Sequence, residues 1–182
     1  MSKEISLNFT LPLTDVDREG RAYHLEASEE ECNALAERFD LAGFSALKAD
    51  VQVKDKGPDV GIEVSGQLEA ALTQRCIVTL DPVTETVKSD FTLMLVSPEM
   101  ADRMDEEEVY LDPAAPEYDA LEGDIIPLGD IVAQTVSINM NPYPRVEGAE
   151  ISIENKKDIS VNEPELKKPN PFAVLEKLRK ES

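Results

Sequence analysis

The sequence LKADVQVKDKGPDVGIEVSGQLEAAL, residues 47–72, gives the clearest prediction of local structure in this chain. Its apolar side chains alternate with polar ones before and after the sequence DKGPD at residues 55–59. Alternation of period two is typical of a β-strand with one buried face, and glycine and proline between two such runs indicate a turn. The stretch therefore predicts two antiparallel strands joined by a short connection.

Further strands are predicted on either side of this pair. Residues 5–13 also alternate, and Pro12 is expected to place that strand at a sheet edge. Residues 76–80 indicate another short run, and residues 91–95 indicate a last strand. Successive strands with short connections imply an antiparallel meander, so we expect an α+β fold whose sheet is either open or barrel-like.

Two helices are predicted to pack on the sheet. Ser28 and Glu31 have the spacing of a capping box, in which each side chain satisfies a backbone N–H of the first helical turn. Apolar residues follow at helical spacing, and Gly43 is expected to end this helix. The second helix is predicted to begin near Leu128 and to end before the proline-rich residues 141–145.

The chain is strongly acidic. Its 38 Asp and Glu against 18 Lys and Arg give a formal net charge of -20 at pH 7. A surface of this sign repels phosphate, whereas nucleic-acid binding relies on basic side chains. Direct binding of RNA or DNA by the main domain is therefore not expected. The acidity itself fits two interpretations, which are solubility alone or attraction of a basic protein.

The acids concentrate between residues 99 and 124, where eleven of them accompany one base, Arg103. Like-charge blocks resist compaction and are typical of mobile loops or interaction segments. We therefore predict an acidic loop over residues 99–124 that binds a partner. Its central carboxylates are Asp105, Glu106, Glu107 and Glu108.

The chain is predicted to consist of a domain at residues 1–148 and an appendage at residues 149–182. The appendage begins as a polar linker without sustained periodicity and ends in the sequence NPFAVLEKL. Phe172, Leu175 and Leu178 share one face of a predicted short helix in this sequence. Because a helix this short is unstable alone in water, we expect it to dock on its own domain or on a partner.

The sequence offers little for catalysis. It contains one histidine, His24, two cysteines, Cys32 and Cys76, and no glycine-rich phosphate loop. Both cysteines are interpreted as small core residues. We therefore predict no catalytic, cofactor-binding or metal-binding residue and no enzyme activity. No signal peptide is visible and no apolar run reaches the roughly 20 residues of a membrane helix, so a cytoplasmic protein is expected.

Two segments, residues 66–83 and 126–145, together resemble the YceD family of large ribosomal RNA subunit accumulation proteins. The residues that carry the likeness are Cys76, Leu80, Pro82, Leu128, Pro142 and Pro144. The C-terminal sequence NPFAVLEKL is similar to the ending of alphaproteobacterial members. Many members carry a second cysteine where this chain has Thr79, so the resemblance supports no metal or redox role for Cys76.

The resemblance implies a non-enzymatic factor that supports accumulation of large-subunit ribosomal RNA through ribosome assembly. The expected partner is a basic ribosomal protein or a pre-ribosomal particle, with indirect association with ribosomal RNA and no contact with DNA or membrane. The carboxylates at residues 105–108 and the apolar face of the C-terminal helix are the expected partner-binding groups.

Two alternatives remain open. The first is direct RNA binding through the basic residues of the appendage, and the second, which is less favoured, is a metal-dependent nuclease that uses the acidic residues. The basic residues in question are Lys156, Lys157, Lys167, Lys168, Lys177, Arg179 and Lys180.

Overall fold

The computed structural model describes residues 3–107 and 117–149. Its strands are Lys3–Ile5 (β1), Leu11–Pro12 (β2), Arg21–Glu26 (β3), Gly43–Asp55 (β4), Ile62–Arg75 (β5), Pro82–Val96 (β6), Glu117–Ala120 (β7) and Ile125–Ile126 (β8). Its helices are Glu29–Arg38 (α1), Pro98–Glu106 (α2) and Leu128–Asn139 (α3), and a single 3-10 turn spans Leu13–Asp15. The predicted α+β class is confirmed.

The long strands form the predicted meander. Six strands are arranged in the order β1-β3-β4-β5-β6-β7, and β3, β4, β5 and β6 pair antiparallel with one another. The outer strands β1 and β7 instead pair parallel with β3 and β6. The sheet is therefore open, with β1 and β7 at its edges, and it is not closed into a barrel.

The strand register explains why one face of the sheet is buried. Val51 lies opposite Gly66, and Gly66 lies opposite Phe91, so alternate residues of three strands align in rows. The apolar rows form one core with α1 and α3, in which Val53 and Val64 have almost no exposed surface. Full burial of a side chain of this size stabilises the fold by roughly 1.5–3 kcal/mol, so these rows hold the sheet and the two helices together.

One row on the opposite face of the sheet carries charged side chains in balance. Glu26, Lys48, Glu69 and Lys88 lie side by side across four strands. The Lys48–Glu26 and Lys88–Glu69 pairs have N–O distances of 2.9 and 3.1 Å. Because the pairs are exposed, each contributes at most about 1 kcal/mol. This row has no net charge and adds nothing to the negative field of the molecule.

Helix α2 lies within the region predicted as an acidic loop. The Ser97 hydroxyl accepts a hydrogen bond from the Met100 N–H at 3.3 Å, and Pro98 is the first helical residue. Both features favour a helix start. The apolar side of α2 joins Met94 in a small separate core. The loop prediction is thus wrong for α2, where capping and apolar contact outweigh charge repulsion, and for β7, which pairs with β6, whereas residues 121–124 lie outside helices and strands.

The N-terminal segment also departs from the prediction. Residues 5–13 do not form one strand, because the backbone leaves the sheet between β1 and β2. Alternate burial persists, since Leu7 and Leu11 are buried and Asn8 between them is exposed. Asn8 explains the break, because its backbone N–H and its Nδ2 both donate to Glu31 Oε1, at 3.1 and 2.9 Å.

Two further predictions of local structure are wrong. Residues 76–80 form a tight turn between β5 and β6 and not a short strand. Gly43 does not end the first helix, since α1 ends at Arg38 and Gly43 begins β4. The chain reverses between them at Asp40, whose φ of 50° lies in the left-handed region that Asp tolerates better than most residues.

Both predicted helices are confirmed. The Ser28 hydroxyl accepts from the Glu31 N–H at 3.3 Å, and Glu31 Oε2 accepts from the Ser28 N–H at 2.8 Å, which completes the capping box. Helix α3 begins at Leu128, as the sequence predicts. Among the described residues, no helix is both long enough and apolar enough to cross a membrane.

The predicted appendage falls almost entirely outside the described residues. Only Ala149 of residues 149–182 is described. The predicted helix with Phe172, Leu175 and Leu178 therefore lies outside the described part of the chain, and the domain boundary at residue 148 stays a prediction.

Candidate functional site

The two segments that carry the family resemblance meet at Cys76. This residue follows β5 and is fully buried. Its sulfur accepts hydrogen bonds from the backbone N–H groups of Val78, Thr79 and Val146, each at 3.4 Å. The third donor is distant in sequence, so the sulfur joins the β5–β6 turn to the chain that leaves α3.

Backbone hydrogen bonds fix the shape of this turn. The Cys76 N–H donates to the Asp81 carbonyl at 2.8 Å, and the Leu80 N–H donates to the Cys76 carbonyl at 2.9 Å. Leu80 has a φ of 64°, a left-handed conformation that costs a residue with a Cβ roughly 1–2 kcal/mol. The surrounding hydrogen bonds must offset that cost. We refer to residues 76–82 as the Cys76 turn.

A second set of contacts fastens the segment that follows α3, residues 140–146 (the exit segment), to the ends of β5 and β6. The Ile77 N–H donates to the Pro144 carbonyl at 2.9 Å. Glu85 accepts from the Asn141 N–H at 3.0 Å, and Gln74 Nε2 donates to both Glu85 and the Asn141 carbonyl, at 2.7 and 2.9 Å. The exit segment is thus held at several points along the turn and not by the sulfur alone.

The pKa values of the two cysteine thiols are shifted in opposite directions. The Thr79 hydroxyl and the N–H groups of Val146, Thr79 and Val78 bond the Cys76 sulfur and lower the pKa of its thiol from 9.0 to about 6, although burial opposes this. Burial next to Glu31 and Glu29 instead raises the pKa of Cys32. At neutral pH the fold therefore favours a thiolate at Cys76 and a neutral thiol at Cys32.

The Cys76 sulfur acts as a hydrogen-bond acceptor within the turn. Thr79, which stands where many family members have a second cysteine, presents a hydroxyl to that sulfur. Among the described residues, no group of three or more His, Cys, Asp or Glu is placed to hold a metal ion. Both cysteines are free and buried, as their interpretation as core residues expects.

The six motif residues divide into a buried and an exposed set. Leu128 and Pro144 are buried like Cys76, but only Pro144 lies at the Cys76 turn, because Leu128 belongs to the main core at the start of α3. Pro82, Pro142 and Leu80 are exposed, Leu80 by 72%. The buried motif residues have a structural role, whereas the exposed motif residues are accessible to another molecule.

Two exposed apolar side chains beside the turn escaped the sequence analysis. Ile77 is 47% exposed and Tyr143 is 71% exposed. Glu85 and Asn141, which join the two segments, were also missed. Nothing in the local sequence marks these residues, because their roles depend on contacts between positions more than 50 residues apart.

The acidic residues proposed to bind a partner occupy the C-terminal end of α2. Asp105, Glu106 and Glu107 are exposed there, and Asp105 accepts a hydrogen bond from the Tyr118 hydroxyl at 2.6 Å. Glu108 lies outside the described residues. A helix C-terminus carries partial negative charge, so each acid at this end is unfavourable by about 0.3–1 kcal/mol.

The domain is an open α+β sheet whose Cys76 turn is bonded to the exit from α3. A scan against protein-family models matches residues 64–179, more than half of the chain, to the family described as large ribosomal RNA subunit accumulation protein YceD. The chain belongs to the YceD family, and it is therefore one of the proteins named for accumulation of large-subunit ribosomal RNA. The matched range includes the Cys76 turn and the exit segment. Searches of curated proteins and of solved structures find no match.

Proposed function

We infer that this protein supports ribosomal RNA accumulation without catalysis, by binding a basic ribosomal protein or a basic surface of a pre-ribosomal particle. The family match supports the link to ribosomal RNA. The charge of the chain supports an indirect route to that RNA, because a protein of net charge -20 repels phosphate.

The observation that carries the proposal is the position of the acids on α2. Asp105, Glu106 and Glu107 lie together where the helix dipole already makes the potential negative. This arrangement is unfavourable in the free protein. A basic partner would relieve it, and the gain in free energy on binding would favour that partner over a neutral one.

The experiment is affinity purification of the full chain from growing cells, followed by mass spectrometry. We expect basic ribosomal proteins to be enriched at low salt and to be lost as the salt concentration rises, because exposed charge pairs are screened. Recovery of no ribosomal component would contradict the proposal. Equal affinity for protein-free ribosomal RNA and for whole pre-ribosomal particles would favour direct RNA binding instead.

A matched pair of variants separates the α2 acids from net charge. The first carries Asp105→Asn, Glu106→Gln and Glu107→Gln, and the second carries Glu19→Gln, Glu37→Gln and Asp40→Asn, which are also exposed. Both lose three negative charges. The α2 variant should recover about tenfold less ribosomal protein, whereas the control variant should recover nearly as much as the unmodified chain.

A further inference from the structure

The face of the sheet opposite the core is exposed across its four central strands. Alternate residues of β3, β4, β5 and β6 align in rows on this face. One row crosses all four strands and consists of Glu26, Lys48, Glu69 and Lys88. Each of these four side chains is more than half exposed. Helix α2 packs on the same face further along β6, over Met94, and leaves the charged row accessible.

The order of charges in this row is self-complementary. From β3 to β6 the charges are negative, positive, negative and positive. A second copy of the face, turned by 180° about an axis that runs parallel to the strands between β4 and β5, presents the same row in reverse order. Glu26 then faces Lys88 of the second copy, and Lys48 faces Glu69 of the second copy. Every facing pair therefore has opposite charges.

The neighbouring row is complementary under the same rotation. It consists of His24, Asp50, Gln67 and Asp90. The rotation places Asp50 opposite Gln67 of the second copy, whose amide can donate to a carboxylate. It also places His24 opposite Asp90 of the second copy, and a ring N–H can donate there. The row beyond carries no charge and consists of Ala22, Gln52, Ser65 and Thr92. No two like charges face each other in these three rows.

A second copy of the chain suits this face better than a basic protein or RNA does. Either of those partners would meet acids and bases in equal number along the charged row, so its net charge would gain nothing there. A surface with the reversed order of charges gains at every position instead. Two sheets can pack face to face about 10 Å apart with their strands nearly aligned, and Lys and Glu side chains from both sheets can meet across that space.

We propose that this protein forms a symmetric dimer through the exposed face of β3–β6, with the twofold axis parallel to the strands between β4 and β5. In a twofold interface both copies use the same surface. The Lys48–Glu26 and Lys88–Glu69 pairs of each chain are kept. Each ammonium group then lies between a carboxylate of its own sheet and one of the second copy. The inference is independent of the proposed function, because the acids of α2 take no part in it.

Two charge-exchanged variants of the full chain test the dimer. The first carries Glu26→Lys with Lys48→Glu, and the second carries Glu69→Lys with Lys88→Glu. Each variant keeps the net charge of the chain and the opposite signs of both intrachain pairs, but every facing pair in its charged row becomes like-signed. Sedimentation at about 150 mM salt, where long-range repulsion is screened, should show a reversible dimer of the unmodified chain. Each variant alone should associate at least about tenfold more weakly.

An equimolar mixture of the two variants distinguishes this interface from a folding defect. The charged row of the first variant is opposite in sign to the reversed row of the second at every position. The mixture should therefore form a heterodimer about as stable as the unmodified dimer. A chain that carries all four exchanges has the original alternation with its signs inverted, and it should dimerise alone.

Three results would overturn the proposal. The first is an unmodified chain that stays monomeric up to about 1 mM, where even a weak dimer would be populated. The second is association of each variant alone as strong as that of the unmodified chain, because the contact would then lie on another surface. The third is a mixture of the two variants that forms no heterodimer, because opposite charges would then face each other without binding.

Discussion

At the scale of single residues, Cys76 combines burial with an unusual set of donors. A thiol supplies one weak donor, whereas three backbone N–H groups and the Thr79 hydroxyl all point toward this sulfur. That arrangement suits a negatively charged acceptor. The residue therefore stabilises the turn most strongly as a thiolate, although it resembles a small core residue in its burial.

The first prediction concerns the protonation of the two cysteines. In a Cys32→Ala variant, thiolate absorbance should rise with a midpoint near pH 6, because only Cys76 remains and its pKa is lowered to about 6. In a Cys76→Ala variant, the midpoint should lie above 9.0, because burial raises the pKa of Cys32. Midpoints near 9.0 in both variants would contradict the assignment.

The same shift predicts a pH dependence of stability. Because the folded state lowers the pKa of Cys76 below its ordinary 9.0, the fold gains stability as the thiolate forms. This contribution is complete above pH 9.0, falls as the pH drops toward 6, and is absent below about 6. Urea unfolding between these pH values should show a smaller increase of stability for Cys76→Ala than for Cys32→Ala. Parallel curves would contradict this prediction.

At the scale of elements, α3 and the N-terminal segment lie in unusually close contact. A Cβ placed on Gly129 would lie 1.4 Å from the Leu7 carbonyl oxygen. Leu7 is buried in the main core, and Asn8 beside it is bonded to Glu31 at the start of α1. Because glycine has no side chain, the N-terminal segment can lie directly against α3 at Gly129 while Asn8 is bonded to α1.

This contact predicts the effect of Gly129→Ala. We expect the substitution to lower the free energy of unfolding by about 2 kcal/mol or more, because backbone must move to admit the methyl group. Chemical denaturation measures the change. Gly43→Ala is the control, since its Cβ would meet Thr73 at an ordinary 3.9 Å, and it should change stability by less than about 0.5 kcal/mol. Equal effects of the two substitutions would refute the role of the close approach.

The sequence predicts the features that neighbouring residues determine and does not predict those that depend on distant contacts. The alternation of β4 and β5 and the Ser28–Glu31 capping box are local patterns, and both were predicted correctly. The break after β1 depends on a bond from Asn8 to Glu31, 23 residues away, and was missed. The candidate site likewise combines residues that the sequence identifies with a contact between distant segments that it does not. The family resemblance identified Cys76 and Pro144, but a contact across some 70 residues could not be read from either segment alone.

At the scale of the whole molecule, charge is distributed unevenly. The exposed row of Glu26, Lys48, Glu69 and Lys88 alternates in sign, whereas α2 and β7 carry acids with one base, Arg103. A compact chain of net charge -20 repels itself. The repulsion is greatest where the acids are crowded, so the surface proposed to bind a partner is also the region of greatest electrostatic cost.

The last prediction follows from this self-repulsion. Raising the salt concentration from about 10 to about 200 mM shortens the screening length from roughly 30 Å to under 10 Å. Because repulsion within the folded chain is then weaker, the melting temperature should rise by a few degrees, about 2–5 °C. Calorimetry with two different sodium salts distinguishes screening from binding of one particular anion.

Two charge variants test whether self-repulsion is the cause of the rise in melting temperature with salt. The variant that neutralises Glu19, Glu37 and Asp40 should show a smaller rise with salt, because it carries less negative charge. A double variant, Glu26→Gln with Lys48→Gln, leaves the net charge unchanged and should keep the full rise. A melting temperature that falls as salt is added would mean that attractive pairs outweigh repulsion in this fold. The unfavourable crowding of acids on α2 would then no longer explain a preference for a basic partner.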